Sequence, residues 1–364
     1  MKIAKIETAE VRIPLRTPFK TALRTVDSVH DVLVRVTADN GAVGYGEAPP
    51  TAVITGDTIG SIRCAVEEFI APALVGREVE DLDGTMTALQ RCIVKNTSAK
   101  AAVDMALFDL FAQSCQKPLY QVLGGAKKEI ETDLTISVNP TLEMVQDARD
   151  AVARGFRVLK IKVGKEGLAD VRRLQAIRQA VGPQIVLRVD ANQGWEAKQA
   201  VRIITALEDA GVEPELIEQP VPAHDVEGLA YVTAHVSTPI LADEAVFSPA
   251  DALAILQRRA ADFINTKLMK TGGIWQALKL CSAAEIYGAR CMVGCMLESK
   301  VAVSAAAHLA AARNVVTMVD LDGPSLCSTD PYTGGPVYKE SRILMNETPG
   351  IGITGVPGFE EAVQ

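Results

Sequence analysis

Seven polar or ionisable residues recur along this chain at nearly constant intervals. Lys162, Asp190, Glu218, Asp243, Lys267, Cys295 and Asp322 are separated by 28, 28, 25, 24, 28 and 27 residues. Each step is the length of one strand-plus-helix unit, and equal phase on successive parallel strands aims side chains at a common axis. The spacing therefore asks for a closed parallel sheet with its ionisable groups gathered at one end.

The intervening sequence fits that demand. Short β-rich runs occur at 133–138, 158–164, 185–192, 215–220, 239–245, 263–268, 290–296 and 315–323, with helical stretches such as LADVRRLQAIRQAV between them. Eight right-handed strand-helix repeats over 126–339 predict an α/β fold, a (β/α) TIM-like barrel. A doubly wound open sheet is the main alternative, but no Gly-rich dinucleotide turn follows the first strand.

Ahead of the barrel, residues 2–13, 31–38 and 42–48 alternate like antiparallel strands, with Asp39, Asn40 and Gly41 as a hairpin turn. From about residue 59 to 116 the apolar spacing becomes helical. Strands followed by helices make 1–125 a separate α+β N-terminal capping domain. The tail from about 340 to 364 is too rich in Gly and Pro for a barrel helix, and it is expected to return to that domain.

A net charge of −8 argues against a nucleic-acid partner, and no segment approaches a membrane span in length. The first residues, MKIAKIETAEVRIPL, alternate like a strand and do not read as a signal peptide. Seven scattered cysteines without CxxC spacing suit a reducing compartment, so a cytoplasmic location is expected. The four histidines fall outside the phased set and read as surface or packing residues.

Three carboxylates converging in a cavity repel one another unless a cation holds them, and monodentate oxygens suit octahedral Mg²⁺. Asp190, Glu218 and Asp243 are thus the expected metal ligands, with Asn192 two residues beyond Asp190 orienting them. Lys160 and Lys162 share one strand face, where mutual repulsion and a divalent ion are expected to depress the pKa of either amine and make a base. Lys267 comes from a strand four units further round and should face Lys162 across the cavity. Two lysines on opposite sides of a carboxylate chelated by Mg²⁺ suit a 1,1-proton transfer through a stabilised enediolate.

The ordered set KIK (160–162), DAN (190–192), EQP (218–220), DEA (243–245) and the lysine of NTKLMKTGG (265–273) resembles the enolase superfamily, in its muconate-lactonising subgroup. The resemblance covers nearly the whole chain. It departs at Ala245, where many relatives carry Ser. That subgroup holds cycloisomerases, o-succinylbenzoate synthases, N-acylamino acid racemases and dipeptide epimerases, so the scaffold leaves the reaction open.

Asp320 and Asp322 stand two apart on the eighth strand, and a pair of acids suits the ammonium of a dipeptide. This DxD resembles the signature of the dipeptide epimerases and disfavours the substrates that lack an ammonium. TPFKTALRTV (17–26) resembles a covering loop in which the arginine matching Arg24 reaches a glutamate carboxylate, and VITGDT (53–58) a second loop in which Ile54 shields the site. By the same carry-over Thr135, Cys295 and Leu297 touch the dipeptide, Cys295 and Leu297 through backbone groups, as does Lys160. The resemblance implies epimerisation at the α-carbon of the C-terminal residue of L-Ala-D/L-Glu, in cell-wall peptide metabolism, by a homo-oligomer. A non-catalytic peptide-binding barrel is the reading from another class; it would need the carboxylates but not both lysines.

Overall fold

The computed structural model describes residues 1–21, 24–164 and 166–359. Ala22 and Leu23 of the covering segment, and residues 360–364 of the tail, lie outside the described residues.

The chain opens with a three-stranded antiparallel sheet, β1 (Ile3–Lys20), β2 (Thr25–Ala38) and β3 (Val43–Ala48). The first hairpin runs further than the alternation at 2–13 suggests. After a register shift between Pro14 and Phe19, β1 pairs again with β2 at Phe19–Val26 and Lys20–Thr25. Phe19 and Lys20 of the covering segment therefore pair with Val26 and Thr25 at the end of a long two-stranded ribbon. It is tied to the barrel by Lys20, whose carbonyl accepts from the Val138 amide at 3.1 Å and whose ammonium donates to Asn139 at 2.7 Å.

Helices follow from Ile59 to Val122. The longest, Thr97–Ser114, is buried on almost every face because it lies between β3 and the barrel. Gly46 permits the close approach, since a Cβ there would stand 1.8 Å from the Ala102 carbonyl oxygen. Glu47, on the same strand, accepts from the amides of Ser299 and Ala302 at 2.8 and 2.9 Å and so caps the barrel helix Lys300–Ala312.

After β4 (Glu129–Glu131) come β5 (Leu134–Ile136), β6 (Val158–Lys162), β7 (Val186–Asp190), β8 (Leu216–Glu218), β9 (Ile240–Ala242), β10 (Phe263–Thr266), β11 (Arg290–Gly294) and β12 (Val316–Asp320). These eight are parallel and ordered by sequence, which excludes the doubly wound alternative. The ends meet where the Asp133 amide donates to the Val319 carbonyl at 3.2 Å and the Leu321 amide to Thr132 Oγ1 at 2.8 Å.

Period-two alternation sorts the interior. Leu216, Leu241, Phe263 and Met318 lie two residues before Glu218, Asp243, Asn265 and Asp320, and with Met292 they form an apolar plug. The polar residues sit one layer above it, at the carboxyl end of the strands.

Beyond the barrel, β13 (Thr333–Gly334) pairs with β16 (Ile353–Gly355), and β14 (Val337–Lys339) and β15 (Arg342–Leu344) join β4. The tail then reaches the capping helices, where the Ile351 amide donates to Asp109 at 2.9 Å and Leu119 to the Gly350 carbonyl at 2.8 Å.

Candidate active site

The cavity at the carboxyl end of the barrel is lined by Arg24, Ile54, Thr135, Lys160, Lys162, Asn192, Lys267, Cys295, Leu297, Asp320 and Asp322, together with Phe19, Val53 and Met296. Every residue predicted to touch substrate lies here, and Asp190, Glu218 and Asp243 are fully buried beneath it. Phe19, Thr21 and Arg24 from the first hairpin and Val53 and Ile54 after β3 supply the roof.

Lys162 ends β6 and Lys267 follows β10, four strands away in a ring of eight. Lys162 Nζ lies 2.6 Å from Asp190 Oδ2, and Lys267 Nζ lies 2.8 Å from Asp243 Oδ2. Lys160, one pleat deeper, bridges Asp320 at 2.6 Å, Glu218 at 2.8 Å and Asp190 at 3.2 Å.

These contacts set the charge on two of the lysines. Burial pushes the Lys160 and Lys267 amines down, but the surrounding carboxylates outweigh it, and both are held well above the ordinary lysine range.

The carboxylates divide by neighbour. Burial works against ionisation of Asp320, yet Lys160, Lys267 and Lys162 hold it at about 2. Asp190 and Asp243 are likewise kept low by lysines against burial. Glu218 rises to about 7 through burial and the nearby Asp190 charge. Asp322, buried and beside Asp320, rises to about 6 while accepting the Thr135 amide at 2.7 Å.

The donor set fits Mg²⁺. Three carboxylates with no nitrogen or sulfur among them suit a hard cation, and Asn192 Oδ1 is buried without a hydrogen-bond donor. Among the described residues no three His, Cys, Asp or Glu side chains already converge on one point at ligand distance. The Lys160 ammonium stands between Asp190, Glu218 and Asp320, so positive charge is already drawn to this position.

Supporting residues went unread in the sequence. Asn265 Nδ2 donates to Glu218 Oε1 at 2.9 Å, and its position two before Lys267 on one strand face was the available signal. Lys270 Nζ lies 2.6 Å from Asp243 Oδ1, in the turn Leu268–Thr271 whose orientation no periodicity encodes. Gln219 Oε1 accepts from the amides of both Asp243 and Ala245, so the Ala245 departure leaves that backbone clamp intact. Asn192 acts on Asp190 through its amide, at 2.9 Å from Oδ1. The Cys295 amide is already bonded to the Asp320 carbonyl, which leaves its carbonyl as the backbone group for a ligand.

Comparison with known proteins agrees with this geometry. Residues 3–124 match the family model of the mandelate racemase / muconate lactonizing enzyme N-terminal domain, and residues 143–356 match the enolase C-terminal domain-like model. The chain is 51% identical over 356 residues to an L-Ala-D/L-Glu epimerase of Clostridium acetobutylicum, covering 98% of this chain and 99% of that protein. It is similar to a substrate-liganded complex of the L-Ala-D/L-Glu epimerase from Bacillus subtilis, with TM-score 0.96, 50% identity, and coverage of 98% and 99% of the two chains. A dipeptide epimerase from Enterococcus faecalis complexed with Mg and L-Leu-L-Tyr aligns at TM-score 0.94 and 41% identity, over 98% of this chain and 100% of that one.

Proposed function

We propose that this chain, which belongs to the mandelate racemase / muconate lactonizing enzyme family of the enolase superfamily, is a Mg²⁺-dependent dipeptide epimerase whose preferred substrate is L-Ala-D/L-Glu. The observation that carries the reading is the pair Lys162 and Lys267, set on opposite strands of one cavity whose eighth strand presents Asp320 and Asp322.

Asp190, Glu218 and Asp243 would hold Mg²⁺, which when bound supplies positive charge beside the substrate carboxylate and so acidifies the neighbouring C–H. Lys162 and Lys267 face the α-carbon from opposite sides. One amine takes the α-proton while the other, as an ammonium, returns a proton to the opposite face. The configuration inverts, and the two lysines exchange roles for the reverse reaction. Lys160 is assigned to fixed positive charge in the floor, since it is 1% exposed and bound to three carboxylates.

At the other end of the substrate, Asp322 and Asp320 receive the ammonium and Arg24 the glutamate side-chain carboxylate, for which a planar guanidinium is suited. Thr135, Ile54 and the carbonyl side of Cys295 and Leu297 complete the walls. Residues 1–125 act as the capping domain, whose ribbon end keeps water from the reacting carbon.

Action on cell-wall peptides in the cytoplasm is consistent with seven free cysteines, which suit a reducing compartment. Self-association is supported by an exposed apolar groove bearing Leu253, Trp275, Ile286 and Tyr287.

The test is proton NMR of the enzyme with Mg²⁺ and L-Ala-L-Glu in D₂O. Exchange of the glutamate α-proton with appearance of L-Ala-D-Glu, both abolished by EDTA, is expected. A folded, Mg²⁺-loaded enzyme that gives neither would reject this substrate.

A further inference from the structure

Behind Arg24 lies a second cavity that the epimerase reading does not use. Its walls include Arg24, Asp27, Ser28, Asp31, Thr51 and Leu297, and it shares Arg24 and Leu297 with the substrate cavity. Arg24 thus forms part of the partition between the two.

Asp31 is the unusual member. It takes the inward phase of β2 with Val29 and Leu33, is 2% exposed, and its Oδ2 has no hydrogen-bond partner. On the other side of the same cavity, the Arg24 backbone amide donates to Thr21 Oγ1, but among the described residues its guanidinium has no ion-pair or hydrogen-bond partner. A half-buried cation and a buried carboxyl with one unpartnered oxygen stand beside one small cavity, and both gain by meeting.

We propose that Asp31 is a specificity-determining residue: it offers Arg24 a resting partner in the rear cavity, so that the guanidinium pairs with an acidic substrate side chain when one is present and withdraws to Asp31 when the side chain is neutral. This rests on the reading of Arg24 as the carboxylate receptor. Glu47 and Glu298 stand beside Asp31 and oppose its charge. They keep it neutral while Arg24 is engaged forward, and the returning guanidinium releases the proton to solvent. Glu47 is committed to the helix amides at Ser299 and Ala302, and Glu298 to the Met296 amide at 2.7 Å, so neither competes for the arginine.

The experiment compares wild type, Asp31→Asn and Arg24→Met, all Mg²⁺-loaded, on L-Ala-L-Glu and L-Ala-L-Leu. Wild type is expected to turn over both peptides. In Asp31→Asn the KM for L-Ala-L-Glu falls about threefold at constant kcat, and kcat/KM for L-Ala-L-Leu falls about tenfold, because the resting ion pair is gone. Equal shifts on both peptides, no shift, or a wild type inert on L-Ala-L-Leu overturn the proposal. Arg24→Met separates the two claims: if it leaves the L-Ala-L-Glu KM unchanged, the receptor reading itself fails. Crystal structures of the Mg²⁺ enzyme with and without L-Ala-L-Glu give a readout independent of turnover. The guanidinium on Asp31 without peptide and forward with it is expected, and one position in both states overturns the inference.

Discussion

The barrel mouth and the seam around the helix Thr97–Ser114, where it meets β3, the tail and the barrel, both bury carboxylates, but they satisfy them differently. In the seam, Asp104 accepts from the amides of Ile274 and Trp275 at 2.6 and 3.2 Å, and Asp109 from those of Ile351 and Tyr45 at 2.9 and 3.1 Å. Burial outweighs those dipoles, and the two acids rise to about 8 and about 7. In the mouth, Asp190, Asp243 and Asp320 lie against lysine ammoniums and stay charged. Backbone dipoles join parts of the fold, whereas side-chain charges can be handed to a ligand.

If that contrast is right, changes in the mouth cost rate and changes in the seam cost stability. The largest effect is expected for Lys162→Ala or Lys267→Ala, each lowering α-proton exchange by about 10²–10⁴-fold, the range of a positioned acid or base. The Lys267 variant should still fold, because Asp243 keeps Lys270. NMR exchange rates beside circular dichroism melts check both halves, and a large melting shift with little rate loss would break the comparison.

The seam should behave inversely. Gly46→Val drives side-chain atoms into the Ala102 carbonyl and is expected to cost about 3 kcal/mol or more in a urea titration. The molecules that remain folded should keep their kcat.

His308 sharpens the seam's dependence on fixed dipoles. Its Nδ1 accepts the Tyr120 amide at 2.9 Å, and burial lowers its pKa to about 4. A base with a folded pKa below its unfolded value of about 6.5 binds a proton more readily when unfolded, so stability falls as pH drops from about 6.5 to about 4. The loss is about 3 kcal/mol, on the scale of 1.36 kcal/mol per pKa unit. Urea titrations of wild type and His308→Gln across that window should differ in slope, and identical slopes would remove His308 from the account.

The smallest effect belongs to the ammonium end of the mouth. With Asp322 at about 6, the ionised form that attracts a cation is lost as pH falls below that value. The dipeptide KM should therefore rise below pH 6 and level off about tenfold higher, because Asp320 stays ionised. Asp322→Asn should flatten the profile.

Much of this was legible in the chain because period-two alternation and a constant repeat length both survive as spacing. The eight strands, the opposition of Lys162 and Lys267 and the burial of Asp190, Glu218 and Asp243 follow from phase alone. The extent of β1 did not, because its register shift between Pro14 and Phe19 interrupts the alternation that marks a strand.

What the sequence determined by itself is which residues share a face and how far round the ring each one stands, since both depend on local geometry repeated many times. What only the tertiary structure decided is which charges touch. That Lys160 lies against three acids, that Lys270 backs Asp243 and that Asp31 lies behind Arg24 depend on side chains from distant segments meeting within a few ångströms. Coulomb energies vary steeply at that range and no periodicity records them.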